Sequence, residues 1–357
     1  MSKKNIYVIY GNKSVEHEVS IVSAKTIINN LDREKYDIYP VFIDKEGKWI
    51  PLDKIEKQIE DVAELTATTD LSISKSLAEF LNTYINDENT VFFPIVHGTY
   101  GEDGCMQGLF ECLDVPYVGN GVLSSAISFD KGIANDLFSI HNVPQGRYHV
   151  FEKTNMDDFD EDVLIEKIGL PMYVKPCNAG SSVGVSPVYK KEDIKTALDN
   201  AFKYDNRVVC EEEILGDELQ VSVIGNEDPK ASLPGGFIVE TKFLDYNTKY
   251  HDDTIIPLIP YEKMSKEETE KIRQIAIDAY RANNCSGLAR VDIFLRDKDR
   301  ALLVNEINSM PGMTGHSMTP VLWGVTDGTT YPELLDKLID LAVDAYNKKN
   351  NIVKTLD

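Results

Sequence analysis

Positive charge is in short supply in this chain of 357 residues. The sequence has 37 Lys and Arg against 59 Asp and Glu, which gives a formal net charge of −22 at pH 7. Nucleic acids and anionic lipid surfaces are bound mainly through Lys and Arg, which displace counterions from the phosphates. The deficit therefore predicts a protein with neither a nucleic-acid partner nor a membrane partner.

Cysteines and long apolar runs are also scarce. The five cysteines are an odd number, lie far apart and form no CxxC pair, which excludes a disulfide framework and a zinc ribbon. No stretch reaches the ~20 apolar residues that a membrane span needs. The first residues, Met-Ser-Lys-Lys, lack the apolar core of a signal peptide. We expect a cytoplasmic protein with reduced thiols.

The composition is otherwise that of a globular chain, with 42% hydrophobic and 27% charged residues. At roughly 100–200 residues per domain, two or three domains are expected. The order strand, turn, helix and strand over residues 5–43 predicts a βαβ unit and a parallel sheet. We place a first α/β domain at 1–121, a central α+β domain at 122–225 and a third domain at 226–357.

Hydrophobic periodicity and turn residues predict the main elements of these domains. The predicted strands are Asn5–Tyr10, Tyr36–Ile43, Val91–Val96, Met172–Lys175, Val183–Val188, Arg207–Ile214, Leu219–Ile224, Leu288–Leu295 and Ala301–Asn308. The predicted helices are Val19–Leu31, Met106–Leu113, a run from Val122 to Ile140, Lys191–Phe202, one opened by a capping box at Ser265–Glu268, and Tyr331–Tyr346. Between them, the polar and aromatic segment Phe243–Thr254 predicts a mobile loop.

Four polar residues alternate with apolar ones in the last two predicted strands. Arg290 and Asp292 share one face of their strand, as do Glu306 and Asn308, because residues two apart face the same side. If the strands pair, two carboxylates and a carboxamide converge beside a guanidinium, a set of oxygen donors that suits Mg²⁺. The alternative is a solvated surface with a weak ion pair.

A second polar segment follows the strand that ends at Lys175. Small residues over Gly180–Gly184 allow backbone N–H groups to surround an anion, and Lys175 adds a positive charge. The segment also fits GxSxG with Ser182 as the nucleophile, but a hydrolase elbow continues into a helix whereas this chain continues in a strand-like run. A plain glycine hairpin is the third interpretation.

Other polar positions are less specific. His97 opens the loop His97–Gly104 after a buried strand, where open α/β sheets bind ligands, although it could equally be a structural histidine. Glu211 and Glu218 could accept hydrogen bonds from ribose or lie on a solvated edge. Glu16 suits the start of a helix, and Lys131 could be an ordinary surface lysine.

Taken together and in order, these segments resemble the D-alanine–D-alanine ligase family. The matching segments are Glu16–Ser20, His97–Gly104, Asp130–Lys131, Lys175–Gly184, Asp245–Tyr250, Arg290–Asp292 and Asn305–Ser317. The resemblance spans nearly the whole chain and implies an ATP-grasp fold, α/β and α+β in part, preceded by a Rossmann-like N-terminal domain. It also implies a homodimer and a role in making peptidoglycan precursors.

The family's reaction assigns roles to these residues. ATP phosphorylates one D-alanine to an acyl phosphate, the amine of a second D-alanine attacks, and phosphate leaves. The resemblance implies two Mg²⁺ ions, replaceable by Mn²⁺, on Asp292, Glu306 and Asn308. It implies ATP contacts from Lys131, Lys175, Ser182, Glu211, Glu218 and Lys249. The catalytic set that it implies is Glu16, Ser181, Tyr250, Arg290, Gly312 and Ser317, with His97 and Met318 at the substrates.

Relatives of this family differ in their second substrate. Tyr250 resembles the peptide-forming type and speaks against D-lactate, and Met318 stands where D-serine-adding relatives tend to carry a basic residue. We therefore expect D-alanine as the second substrate, with D-serine as the first alternative and D-lactate as a weaker one. A nucleotide-binding protein that kept the fold but lost catalysis is a further alternative.

Overall fold

The computed structural model of the protein describes residues 2–155, 159–238 and 256–353. The helices are α1 His17–Asn30, α2 Ile73–Thr83, α3 Cys105–Leu113, α4 Val122–Phe129, α5 Lys131–Ile140, α6 Glu161–Ile168, α7 Ile194–Ala201, α8 Lys266–Ala282, α9 Met318–Asp327 and α10 Tyr331–Asn350. The strands are β1 Lys4–Gly11, β2 Tyr36–Ile43, β3 Trp49–Pro51, β4 Thr90–Ile95, β5 Tyr148–Glu152, β6 Met172–Pro176, β7 Ser186–Val188, β8 Arg207–Glu212, β9 Gly216–Ile224, β10 Lys230–Ala231, β11 Gly235–Ile238, β12 Ile256–Leu258, β13 Leu288–Arg296 and β14 Leu302–Asn308. The predicted loop Phe243–Thr254, with Lys249 and Tyr250, lies outside the described residues.

The first sheet has the order β3-β2-β1-β4, with β1 parallel to both β2 and β4. This confirms the predicted βαβ unit. Ile6 and Val8 pack into one apolar cluster and Tyr7 and Ile9 into another, so both faces of β1 are covered. Strands buried on both faces have continuous apolar sequences, which explains the unbroken run of β1.

The second sheet has the order β5-β8-β6-β7 and is antiparallel. Helices α6 and α7 supply apolar residues to the cluster that covers it, among them Leu164, Ile168, Ile194 and Leu198. Strand β5 and helix α6 were not predicted, because a short strand and an eight-residue helix give too little periodicity to recognise.

The third sheet has the order β12-β11-β9-β13-β14, with β10 added on β9. Alternate residues of β9 and β13, such as Val221, Val291 and Ile293, pack with α8 in one apolar cluster. The intervening residues, among them Arg290 and Asp292, form the opposite and polar face of the sheet. The predicted strand Leu219–Ile224 thus pairs with β13, and the three-part division of the chain stays a prediction.

Several predicted elements differ in extent from the observed ones, and two of these differences have a clear local cause. The helical run from Val122 to Ile140 is divided at Asp130, whose backbone is extended and whose carboxylate caps α5 by accepting from the N–H of Ile133. The strand expected over Val183–Val188 covers only Ser186–Val188, because the preceding residues form turns. Within the described ranges, no helix is both long and apolar enough to cross a membrane.

Candidate active site

The carboxylate of Glu16 lies where three segments of the chain meet. Its Oε1 accepts a hydrogen bond of 2.8 Å from the hydroxyl of Ser181. A Cβ atom added to Gly98 or to Gly180 would lie 3.3 or 3.5 Å from its Oε2. The start of α1, the His97–Gly104 loop and the Gly180–Gly184 loop are thus in contact through one side chain.

The Gly180–Gly184 loop has an unusual backbone for non-glycine residues. Ser181 and Ser182 have φ angles of 51° and 59°, and Gly184 has a φ of 73°. Turns that contain left-handed residues can direct successive backbone N–H groups at an anion, and such backbone strain is retained at functional sites. Ser182 is exposed and is followed by turns, so the helix that a hydrolase elbow requires is absent from this described loop.

His97 is buried, with only 4% of its surface exposed, and one of its ring nitrogens has a partner. Nδ1 lies 3.2 Å from the carbonyl oxygen of Met310, whereas no hydrogen-bond partner is present for Nε2 among the described residues. Burial lowers the pKa of His97, and the opposing effects of Glu16 and the Met310 carbonyl do not reverse this. A neutral ring next to a carbonyl places its proton on Nδ1, so Nε2 is left as an acceptor.

Glu102 lies in the same loop and was not singled out from the sequence. One of its carboxyl oxygens, Oε2, accepts from the N–H of Gly98 at 2.7 Å, and the other, Oε1, accepts from the N–H of Met310 at 3.3 Å. Burial and the charge of Glu16 raise the pKa of Glu102 to about 8, although the two N–H groups act in the opposite direction. Its sequence signal was only a Glu-Asp pair in a glycine-rich loop.

The raised pKa of Glu102 predicts a pH dependence of stability. The folded protein keeps the proton of this carboxyl up to about pH 8, whereas in the unfolded chain it is lost near the ordinary value of 4.5. Folded chains therefore bind more protons in this interval, and the free energy of unfolding falls as pH rises from 5 to 8. Denaturant titrations of the wild type and of Glu102→Gln should show a steeper fall in the wild type; parallel curves would contradict the assignment.

The polar face of the third sheet carries the predicted metal ligands. Asp292 lies directly opposite Glu306, and Arg290 lies opposite Asn308, so the two strands pair as the prediction required. Asp292 is 1% exposed and accepts from Nε and Nη2 of Arg290, each at 2.7 Å, and from Nδ2 of Asn308 at 3.2 Å. This buried bidentate pair excludes a weak surface ion pair as the interpretation of Arg290 and Asp292.

The donor set fits a hard cation. Two carboxylates and a carboxamide oxygen from neighbouring strands are typical ligands of Mg²⁺, which completes its coordination with water and phosphate oxygens. Over the described ranges no group of three or more His, Cys, Asp and Glu side chains is arranged to hold a metal ion. A metal here would thus depend on Asp292, Glu306 and the amide oxygen of Asn308, together with a phosphate-bearing ligand.

Two lysines lie beside this face. Nζ of Lys131 is 3.4 Å from Oε2 of Glu306 and donates to the carbonyl of Ala179 at 2.9 Å. Nζ of Lys175 is 2.6 Å from Oε2 of Glu211. Burial lowers the pKa of Lys175, but Glu211, Glu306 and Glu218 together outweigh it and raise the pKa. Lys175 therefore keeps its charge although it is half-buried, and both lysines lie at the base of the Gly180–Gly184 loop.

A network of long-range contacts holds this loop. Asp130 is 6% exposed; its Oδ1 accepts from the N–H of Ile133, and its Oδ2 accepts from Asn178 at 3.1 Å and from Arg207. Asn178 also donates twice to Asp205, from its backbone and from its side chain. No sequence signal identified Asn178 and Arg207, because their partners lie 48 and 77 residues away.

The last group of predicted residues surrounds the start of α9. Ser317 precedes α9 and Met318 is its first residue. A Cβ atom added to Gly312 would lie 3.1 Å from the hydroxyl oxygen of Ser317, which also accepts from the N–H of Thr314 at 2.9 Å. Gly312, Ser317 and Met318 thus lie close together at the start of α9. Glu218 lies by the polar face and accepts from Asn305 at 3.1 Å.

Lysines at the base of a glycine-rich loop, beside carboxylates on two paired strands, are typical of a nucleotide-dependent enzyme of mixed α/β architecture. Family models agree with this class in detail. A model described as D-ala D-ala ligase N-terminus matches residues 5–120, and one described as D-ala D-ala ligase C-terminus matches residues 137–340. The chain belongs to the D-alanine–D-alanine ligase family, ATP-grasp enzymes that form a carbon–nitrogen bond with hydrolysis of ATP.

Known proteins extend this similarity over the whole chain. A D-alanine–D-alanine ligase from Finegoldia magna is 47% identical over 353 residues, 99% of each chain. The solved structure of the ligase from Coxiella burnetii is 34% identical with a TM-score of 0.80, covering 98% of this chain and 97% of that one. The VanG D-Ala:D-Ser ligase from Enterococcus faecalis also has a TM-score of 0.80, at 29% identity, covering 96% and 100%.

A ligand is present in one further solved relative. The Bacillus anthracis D-alanine–D-alanine ligase complexed with ATP is 27% identical to this chain, with a TM-score of 0.75 and coverage of 97% and 99%. The family and the ATP-grasp fold implied by the sequence resemblance are thereby confirmed. The equal TM-scores of the Coxiella and Enterococcus enzymes mean that the fold does not distinguish second substrates.

Proposed function

We propose that the protein joins two D-alanine molecules to D-alanyl-D-alanine, as a precursor of peptidoglycan, through an acyl phosphate. The observation that carries this proposal is the buried Arg290–Asp292 pair, opposite Glu306 and Asn308 and next to two lysines. A protein that only bound nucleotide would have no need of the guanidinium beside the carboxylates. The non-catalytic alternative is therefore disfavoured.

The nucleotide would lie between the second and third sheets. In the proposal, Lys131 and Lys175 exchange their carboxylate partners for ATP phosphates, and backbone N–H groups of the Gly180–Gly184 loop contact the same oxygens. Ser182 is exposed on that loop. Glu211 and Glu218 would lie at the adenosine, and Lys249, outside the described residues, would reach the transferred phosphate.

A carboxylate oxygen of the first D-alanine attacks the γ-phosphorus of ATP, and ADP leaves. Mg²⁺, or Mn²⁺ in its place, supplies neutralisation of phosphate charge when bound by Asp292, Glu306 and Asn308. Glu16 would hold the ammonium of this D-alanine, with His97 nearby. The contact between Ser181 and Glu16 supports this placement, because it brings the phosphate loop to the amino-acid site.

The amine of the second D-alanine then attacks the acyl carbon, and the tetrahedral intermediate expels inorganic phosphate. Arg290 and the backbone N–H of Gly312 would stabilise the oxyanion. Ser317 and Met318 would hold the carboxylate of the second substrate, at the start of α9, where a helix N-terminus favours an anion. Tyr250, outside the described residues, would complete the link with Glu16 and Ser181.

A product assay tests this proposal. The protein is incubated with ATP, Mg²⁺ and D-alanine, alone and with an excess of D-serine or D-lactate, over a range of pH, and the products are separated by mass spectrometry. We expect D-alanyl-D-alanine as the main product and phosphate release that requires both D-alanine and Mg²⁺. A main D-Ala-D-Ser product would support the first alternative, and ATP turnover indifferent to D-alanine would contradict the function.

Two further properties are proposed from the family. We propose a homodimer, which sedimentation at several protein concentrations would test. A cytoplasmic location is also proposed, because the proposed reaction uses ATP as co-substrate and Mg²⁺ as cofactor, and both are available in that compartment.

A further inference from the structure

The His97–Gly104 loop is joined to the C-terminal part of the chain at one residue. Met310 donates its backbone N–H to Oε1 of Glu102, and its carbonyl oxygen contacts Nδ1 of His97. Its side chain is buried in the apolar cluster that includes Ile6 and Val8. Both backbone groups of Met310 are thus held by a loop that lies more than two hundred residues earlier in the sequence.

Glu102 is the side chain that determines the geometry of this junction. Oε2 accepts from Gly98, the residue after His97, while Oε1 accepts from Met310. One carboxyl group therefore bridges Met310 and the residue that follows His97. Met310 lies two residues after Asn308 and two before Gly312, so the same contact also sets the segment between the proposed metal ligand and the proposed oxyanion donor.

The consequence for His97 concerns its proton. A ring nitrogen held against a carbonyl oxygen must donate, so the Met310 carbonyl selects the Nδ1–H form of the neutral ring. The buried Nε2 is then an acceptor without a partner among the described residues. The charged groups that act on this ring are Glu16 and Arg290, the residues proposed at the first amino acid and at the oxyanion.

We propose that Glu102 is a positioning residue, which ties the His97–Gly104 loop to Met310 and thereby keeps Nε2 of His97 as a hydrogen-bond acceptor at the first amino-acid site. This inference rests on the proposed function for the identity of that amino acid. The groups that face Glu102 are Glu16, Arg290 and the N–H groups of Gly98 and Met310. Both oxygens of a carboxyl group can accept a hydrogen bond, whether or not it is protonated.

The matched pair of variants is Glu102→Gln and Asp103→Asn. Glu102→Gln keeps the size of the side chain, but the NH₂ group of the new amide cannot accept, so one of the two N–H groups loses its partner. Asp103 also accepts two backbone N–H groups, from Tyr100 at 2.8 Å and Cys105 at 3.0 Å. Both of those lie within the loop or at the start of α3, so Asp103→Asn perturbs the loop without affecting its junction with Met310.

The first measurement is the tautomer of His97 by ¹⁵N NMR of the full chain labelled at its six histidines, with the resonance assigned from His97→Asn. We expect the Nδ1–H form in the wild type and in Asp103→Asn, and a mixture of the two forms in Glu102→Gln. An unchanged His97 spectrum in Glu102→Gln would overturn the proposal. This readout needs no substrate, so it is independent of the proposed function.

The second measurement compares KM for the first D-alanine with KM for ATP. We expect Glu102→Gln to raise KM for the first D-alanine by about tenfold, because one hydrogen bond between His97 and the charged amino acid is weakened. KM for ATP should stay within about twofold. The shorter Glu102→Asp, which keeps the carboxyl group but cannot span both N–H groups, should lie between Glu102→Gln and the wild type, and it serves if Glu102→Gln fails to fold. Equal effects of Glu102→Gln and Asp103→Asn would overturn the positioning role, whereas a wild type that makes no dipeptide would overturn the proposed function instead.

Discussion

Replacing Glu306 by alanine is expected to abolish turnover. Its carboxylate lies opposite Asp292 on the polar face of the third sheet and 3.4 Å from Nζ of Lys131. Loss of a metal ligand leaves phosphate charge without neutralisation in the transition state, a cost of about 3–5 kcal/mol or ~10²–10⁴-fold in kcat. Steady-state phosphate release with saturating ATP and D-alanine measures this loss, and near-normal turnover would refute the metal assignment.

The same variant should behave differently when no metal is added. Removing the carboxylate of Glu306 takes away the anion that competes with phosphate for Lys131. We therefore expect metal-free nucleotide to bind at least as tightly as it binds to the wild type. Calorimetric titration with ADP in the presence of a chelator measures this. A parallel loss of metal-free binding would show that Glu306 maintains the fold of the site rather than its metal.

Asp299→Asn is the matched control for Glu306. Asp299 lies in the turn between β13 and β14 and is paired with Arg296 at 2.8 Å, at the other end of the same hairpin. This ion pair is exposed and contributes little to stability. We expect turnover within about twofold of the wild type, so any large loss in Glu306→Ala reflects its position and not the hairpin.

Asp130→Ala is expected to destabilise the protein and weaken its use of ATP together. The substitution leaves the partly buried Arg207 side chain and the Asn178 amide without this acceptor and removes the cap of α5. We expect a loss of about 2–4 kcal/mol in the free energy of unfolding. Since Lys131 follows Asp130 directly and Asn178 lies two residues before the Gly180–Gly184 loop, kcat/KM for ATP should fall about 10- to 100-fold.

Asp160→Ala is the control that separates the loss of a helix cap from the loss of the contacts that hold the Gly180–Gly184 loop. Asp160 caps α6 by accepting from the N–H groups of Asp162 and Val163, but it is exposed and has no arginine partner in the described structure. The expected cost is about 0.5–2 kcal/mol, with kcat/KM for ATP unchanged. Chemical denaturation and ATP kinetics on both variants check this; a similar loss of ATP use in Asp160→Ala would contradict the role of Asp130.

The sequence predicts the structure best where one periodic pattern decides it. The buried run of β1, the βαβ unit and the pairing of the strands that carry Arg290 and Glu306 followed from local patterns of apolar and polar residues. Prediction from the sequence fails where a distant contact overrides such a pattern. The helical run through Asp130 looks continuous, but Asp130 caps α5 through one carboxylate oxygen and is held through the other by a part-buried ion pair with Arg207, 77 positions away.

By itself, the sequence determined the family, the chemistry of the donor groups and the faces on which they lie, because strand alternation and ordered motifs are local properties. Only the tertiary structure decided which charges are neutralised by which partners. Lys131 forms an ion pair with Glu306, Lys175 forms one with Glu211, and Glu102 joins the loop of His97 to Met310. Lys175 reaches Glu211 because β6 pairs with β8, and the other two contacts join elements that lie far apart in the sequence, so no spacing along the chain encodes them. The net charge of −22 likewise describes the whole molecule, whereas its active site gathers cations within a few ångströms of their carboxylates.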